Sequence, residues 1–168
     1  MLPSSARSVV KIHMNDKDVP RENENKFSKI LVAVDGSQAS MDAADQAIEM
    51  ARKYSSELIA LHVILSDTTI FGTNPPQHID EIKQQAQQYL DRIKQKLPNQ
   101  HDNNRIQMRT ELISSATAVA GIVGFAEKEN VDLIVIGTRG RSGFKRLLLG
   151  SVASGVVNYA HCPVMVVK

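Results

Sequence analysis

The chain holds one cysteine, Cys162, in 168 residues, so no internal disulfide is available and a reducing compartment is expected. An excess of charge is also missing, since 20 Lys and Arg nearly balance 18 Asp and Glu. A net charge of only +2 excludes the global basic field that drives nucleic-acid binding, and no nucleic-acid partner is expected. No stretch approaches the roughly 18 apolar residues needed to span a bilayer, so no membrane partner is expected either. The N-terminus lacks the apolar core of a secretory signal, because Arg7, Lys11, His13 and Asp16 interrupt its few apolar residues. What is left is a cytoplasmic globular chain, 42% hydrophobic and 23% charged, long enough to bury one core.

Two common phosphate loops are missing as well. There is no Gly-Lys-Ser or Gly-Lys-Thr, which excludes a P-loop, and no Gly-x-Gly-x-x-Gly after the first strand, which argues against a dinucleotide fold.

Residues 1–27 are polar and mixed in charge, and are read as a mobile tail. From Ile30 onward, strand-like and helix-like segments alternate. Residues 30–34 and 58–65 are apolar runs of the kind expected for strands covered on both faces. Between them Ala44, Ala47, Ile48 and Ala51 recur at helical spacing over residues 40–54, with Ser37 or Ser40 available as N-cap. Gly72, Asn74, Pro75 and Pro76 predict a loop over residues 66–78. Ile82, Ala86, Tyr89, Ile93 and Leu97 then trace one face of a helix stopped at Pro98. Over residues 105–112 apolar and polar side chains alternate, predicting an edge strand wet on one face. A helix over residues 116–129, a strand over 133–136, a helix over 151–159 and a last strand over 164–167 complete the pattern.

Five strands separated by helices predict an α/β fold: one open parallel sheet with helices on both faces and right-handed crossovers. With the third strand at an edge, the order is 3-2-1-4-5. Ligands in such sheets sit beyond the carboxyl ends of the strands, where the order reverses. That crevice lies between the first and fourth strands, where Asp35 and Gly137 stand.

The fourth strand runs into Gly137-Thr138-Arg139-Gly140, and nine residues later into Gly150-Ser151 at the start of a helix. Glycine lets the main chain approach an anion closely, and a helix N-terminus adds unpaired N–H groups and partial positive charge. The Gly137-x-x-Gly140, nine-residue, Gly150-Ser151 spacing stands with residues 30–37 (Ile-Leu-Val-Ala-Val-Asp-Gly-Ser), Leu61-His62-Val63 and the closing Cys162-Pro163-Val164-Met165-Val166-Val167. Together they resemble the universal stress protein family in its ATP-binding branch, over residues 29–168, leaving residues 1–27 as a tail to a domain of residues 28–168. The resemblance implies an adenine nucleotide alpha hydrolase-like fold and ATP as ligand, with Mg or Mn carried by the phosphates. It places Gly137 and Gly140 along the ribose and phosphates, and Gly150 and Ser151 on the distal phosphates. Asp35 falls beside the nucleoside and Val63 at the adenine edge. Ala33, Val34, Ile136 and Val152 adjoin these positions and complete the candidate set. The resemblance further implies a homodimer, paired through the exposed apolar edge of residues 164–167, and a protein partner that the residues do not identify.

Plainer alternatives stand beside these assignments. The glycines also suit tight strand-to-helix turns, and Asp35 suits a turn or N-cap ahead of Ser37. His62 reads as a packed strand residue and Cys162 as core filler. Arg139 and Arg141 suit either charge compensation for a polyphosphate or a solvated loop. No catalytic residue or protein metal ligand is assigned, so at most slow ATP hydrolysis is expected. Three functions compete: a nucleotide-responsive signalling or stress-response module, a structural dimer or partner-binding module without ATP, and a nucleotide-hydrolysing enzyme of related fold. The last lacks its usual Ser-Gly-Gly-x-Asp-Ser loop, having Asp35-Gly36-Ser37 instead. Ser114-Ser115 replaces the family's usual glycine before the third helix.

Overall fold

Apolar runs too short for helices and too continuous for one-sided strands demand a sheet covered on both faces. The computed structural model describes residues 9–13, 27–66, 76–97, 106–140 and 149–168, with the backbone alone at 9–13 and 76–79. In chain order its elements are β1 (Val9–His13), β2 (Lys29–Ala33), α1 (Gln38–Tyr54), β3 (Glu57–Leu65) and α2 (Pro76–Gln95). There follow β4 (Met108–Ser115), α3 (Ala118–Lys128), β5 (Leu133–Gly137), α4 (Ser151–Tyr159) and β6 (Val164–Val167).

The sheet order is β1-β6-β5-β2-β3-β4. The five parallel strands, β2 to β6, therefore lie in the expected order 3-2-1-4-5. Val9–His13 adds a sixth strand, antiparallel, on the outer side of β6. The segment read as a tail thus contributes a strand, and the edge read as open to a second copy carries β1.

Alternate residues of each strand feed two cores. Ile30, Val32, Leu58, Ala60, Leu133 and Val135 pack beneath α1 and α2. Leu31, Ile59, Leu61, Ile134, Ile136 and Val166 pack beneath α3 and α4. Helix α1 presents Ala43, Ala44, Ala47 and Ala51, and their small side chains let it lie close on the sheet. Ser37 caps its start, accepting from Ser40 N–H at 3.2 Å, and Ser55 ends it in the left-handed region at φ 53°. On the other face, a Cβ at Gly155 would stand 2.6 Å from Val119 Cγ2, so α4 meets α3 at a distance only glycine allows.

Helix α2 and strand β4 differ most from expectation. Helix α2 begins at Pro76, inside the expected loop, because proline's missing N–H costs nothing in a helix's first turn; Gly72, Asn74, Pro75 and Pro98 lie outside the described residues. Strand β4 spans Met108–Ser115, displaced toward the C-terminus, since Ser114 and Ser115 pair with Ile64 and Leu65. The two serines that stand in place of the family's usual glycine thus continue the strand. The wet face of β4 is also half-buried, for an electrostatic reason.

At the end of the sheet where β2 and β3 begin, Arg109 reaches three carboxylates. Its Nε lies 2.7 Å from Glu57 Oε1 and its Nη1 2.6 Å from Glu111 Oε1, while Nη2 donates to Glu129. The guanidinium also lies 5.9 Å from the centre of the Phe125 ring. Burial lowers the Arg109 pKa, but the carboxylates more than reverse this, leaving it above the ordinary guanidinium value. A raised basic pKa contributes stability below the group's unfolded titration and loses it only above, provided the carboxylates stay ionised, so this contribution persists across the neutral range. The side chain keeps 34% exposure, so solvent weakens the cluster. Arg109→Leu is expected to cost about 1–2 kcal/mol in urea unfolding at low salt, shrinking as salt is added; a salt-independent loss would contradict the electrostatic account.

Candidate functional site

After β2 the chain crosses to the α1 face, and after β5 it crosses to the α4 face, so a crevice opens between the two strand ends. Two turns form its walls. In the first, Asp35 Oδ1 accepts Ser37 N–H at 3.0 Å, the turn bond expected of aspartate two residues before the donor. Ser40 Oγ accepts Asp35 N–H at 3.3 Å and donates to Ser37 O at 2.8 Å, locking the turn to α1. Gly36 takes φ +82°, and a Cβ there would collide with the Tyr89 ring. Both the angle and the space require glycine.

The second turn follows β5. Thr138 N–H donates to Val167 O and Gly150 N–H donates to Thr138 O, each at 2.7 Å, so Thr138 ties β6 to the start of α4. A Cβ on Gly137 would lie 2.7 Å from the carbonyl of Ala39, and one on Gly150 would lie 3.1 Å from Thr138 O. Across the crevice, a Cβ on Gly140 would lie 2.8 Å from Asp35 Oδ2. Ser37 Oγ donates to Arg139 O at 3.4 Å, joining the two turns directly.

Helix α4 opens on Gly150, which makes no side-chain capping bond, whereas Ser37 caps α1 and Thr117 caps α3. The first intrahelical bond of α4 runs from Ser154 N–H to Gly150 O at 2.9 Å. The N–H groups of Ser151, Val152 and Ala153 precede it, at the positive end of the helix dipole.

The nucleoside side of the crevice follows from register. Leu61 O accepts Val34 N–H at 2.9 Å, so the main-chain groups of Leu61 face β2. Two residues on, those of Val63 face the same way, beyond the last paired residue of β2, Ala33. Its side chain points to α3, where a Cβ on Gly121 would lie 2.8 Å from Val63 Cγ1.

The Universal stress protein family model matches residues 26–168. The chain belongs to that family. This universal stress protein is 38% identical over 153 residues to Universal stress protein MJ0531 of Methanocaldococcus jannaschii, covering 88% of this chain and 86% of that one. It is 33% identical to Universal stress protein YxiE of Bacillus subtilis, covering 84% of this chain and 99% of the other. Among solved structures it is similar to the universal stress protein UspA from Lactobacillus plantarum, with a TM-score of 0.72 at 27% identity, over 84% of this chain and 98% of that one.

Of the expected positions, Asp35 and Gly140 face each other and Arg139 and Gly140 lie beside Gly150 at the start of α4; Gly137 ends β5, Ser151 and Val152 open α4 and Val63 stands on β3, while Ala33, Val34 and Ile136 are buried in the two cores. Arg141 lies outside the described residues. Arg139 is exposed. His62 is packed as expected, its Nδ1 lying 2.7 Å from Val34 O. Sequence reasoning missed Thr138 and Tyr89, and saw in Ser40 only a possible cap. Nothing near Tyr89 marks it, since it approaches Gly36 from a helix 53 residues away in the chain. Ser40 was signalled by its place three residues after Ser37.

Gly137 and Gly140 have different work. Gly137→Ala is expected to lower stability by about 1–3 kcal/mol, because rigid backbone of Ala39 blocks the methyl. Denaturant unfolding showing an unchanged midpoint would contradict that packing.

Proposed function

We propose that this universal stress protein binds an adenine nucleotide, ATP foremost, in the crevice between β2 and β5, and that it works as a nucleotide-responsive signalling or stress-response module. The observation that carries the reading is the uncapped N-terminus of α4 opening beside Gly140 and Asp35. Ser151, Val152 and Gly140 would receive phosphate through backbone N–H groups, and Ser151 through its hydroxyl. Asp35 would accept from the ribose, and Val63 would meet the adenine edge with main-chain groups. Arg139, with Arg141, would offset phosphate charge.

Two universal stress proteins of this fold have been solved in complex with adenine nucleotides, one with cAMP and one, from Archaeoglobus fulgidus, with dAMP. Each is 24% identical, with TM-scores of 0.58 and 0.60, so they speak for the shared fold, and the ligand reading here rests on this chain's own residues. Among the described residues no group of three His, Cys, Asp or Glu is placed to hold a metal ion, and in this reading Mg or Mn arrives on the phosphates.

Three or four charge-assisted bonds of about 1.5–3 kcal/mol each, less ordering costs, give a micromolar affinity near −8 kcal/mol. No residue is assigned a catalytic role, and hydrolysis is at most slow. Occupancy would act by reshaping the segment 138–149 and the partner surface it offers. No described helix is long and apolar enough to cross a membrane. A cytoplasmic setting suits the lone Cys162. The expected homodimer through Val164–Val167 requires that edge to be vacated by β1.

Titration calorimetry with Mg-ATP tests the reading. The wild-type chain is expected to show saturable micromolar binding, and Asp35→Ala to weaken it about tenfold, the loss of one hydrogen bond from a charged group. Gly140→Val is expected to abolish binding while the ligand-free protein still melts cooperatively. Absence of saturable heat from the wild type would overturn the proposal, and turnover above about 1 per second would favour an enzyme instead.

A further inference from the structure

Strand β6 is apolar along its whole length: Val164, Met165, Val166 and Val167 are all buried. A strand of this kind at a sheet edge offers an open row of N–H and C=O groups that another strand can take up. In this chain β1 takes that row. It runs antiparallel to β6, with Val9 opposite Val167, Ile12 opposite Met165 and His13 opposite Val164, and with an irregularity between Val9 and Ile12.

Two features of β1 point beyond simple edge protection. It lies outside residues 26–168, the extent of the family match, so it is an addition to the matched domain. It also resembles the strand it pairs with. Val9-Val10-Lys11-Ile12-His13 and Val164-Met165-Val166-Val167-Lys168 each carry three β-branched residues and one lysine in five. A second copy of the chain docking β6 against β6 around a two-fold axis would present the same kind of strand in the same antiparallel sense.

We propose that β1 is an internal mimic of a second copy's β6, holding the protein monomeric by occupying the edge through which two copies would otherwise pair. The connection permits it. Residues 14–26 span at most roughly 44 Å extended, while β1 lies three strand spacings from β2, roughly 14 Å. A connection of 13 residues keeps β1 attached to the molecule that carries the edge, whereas a second copy must reach that edge from solution. The broken register makes the hold a weak one, so release of β1 is a workable switch between monomer and dimer. Its action does not depend on the nucleotide reading.

Sedimentation velocity on the full chain tests this, comparing wild type with a Lys11→Pro, Ile12→Pro variant. Adjacent residues of a strand face opposite edges, so one of the two prolines must remove a donor from the ladder to β6. Wild type is expected to sediment as a monomer with slowed amide exchange across residues 9–13, and the variant at twice the mass. As a check free of folding effects, a protease site inserted between residues 18 and 19 can be cleaved after folding; monomer is expected to become dimer. Equal masses for wild type, proline variant and cleaved chain would overturn the proposal, as would a wild-type dimer with rapid exchange at residues 9–13.

Discussion

The parallel pairing of β2 with β5 is the constraint on which the rest depends. Ile30, Leu31 and Val32 stand opposite Leu133, Ile134 and Val135, and all six are buried. The two chains then leave for opposite faces of the sheet, because a right-handed crossover from each strand must take the side its neighbour in the order requires. The turns themselves line the space between the departing chains. Those turns carry Asp35, Gly36, Thr138, Arg139 and Gly140, so the crevice follows from topology before any ligand is considered.

The turns are then fixed by short polar links. Ser40 and Ser37 hold the first turn to α1, Thr138 holds the second to β6 and α4, and Ser37 bridges the two through Arg139 O. Glycine appears where these links leave no space for a Cβ: Gly36 under Tyr89, Gly137 on Ala39, Gly150 on Thr138. The plain reading of the glycines as turn-makers and the ligand reading are therefore not rivals at every position. Gly137 is explained by packing alone. Gly140 faces Asp35 across the crevice, where a Cβ would lie 2.8 Å from the movable end of that side chain and not against rigid backbone. Asp35 divides likewise, with Oδ1 serving the turn and Oδ2 directed toward Gly140. At the far end of the sheet the Arg109 cluster secures β3, β4 and α3 without contributing to the crevice.

The parallel sheet was legible because strands buried on both faces leave continuous apolar runs, and β4 declared itself an edge by alternation. Its displaced boundary was not legible, because Ser114 and Ser115 become strand only by pairing with Ile64 and Leu65. Pro76 looked like a breaker because its effect depends on position in the helix, which local composition does not reveal. Strand β1 was hidden for a different reason. Val9, Val10 and Ile12 sit among charged and polar residues, and their partner strand lies more than 150 residues away. Asp35, Gly137, Gly140, Gly150 and Ser151 could be singled out from their places after strands and before a helix, and the structure sets them at the ends of β2 and β5 and at the start of α4. Tyr89 and Thr138 could not, since they act through contacts made only after folding.

The central claim is that the backbone N–H groups beginning α4, together with that of Gly140, receive the phosphates of an adenine nucleotide. Amide chemical shifts followed by NMR during parallel titrations with Mg-ATP and with adenosine test it most directly. The account predicts saturable shifts at Gly140, Ser151 and Val152 with Mg-ATP, while adenosine moves Val63 and leaves those three unmoved. Unchanged amides at Gly140, Ser151 and Val152 under saturating Mg-ATP would contradict it.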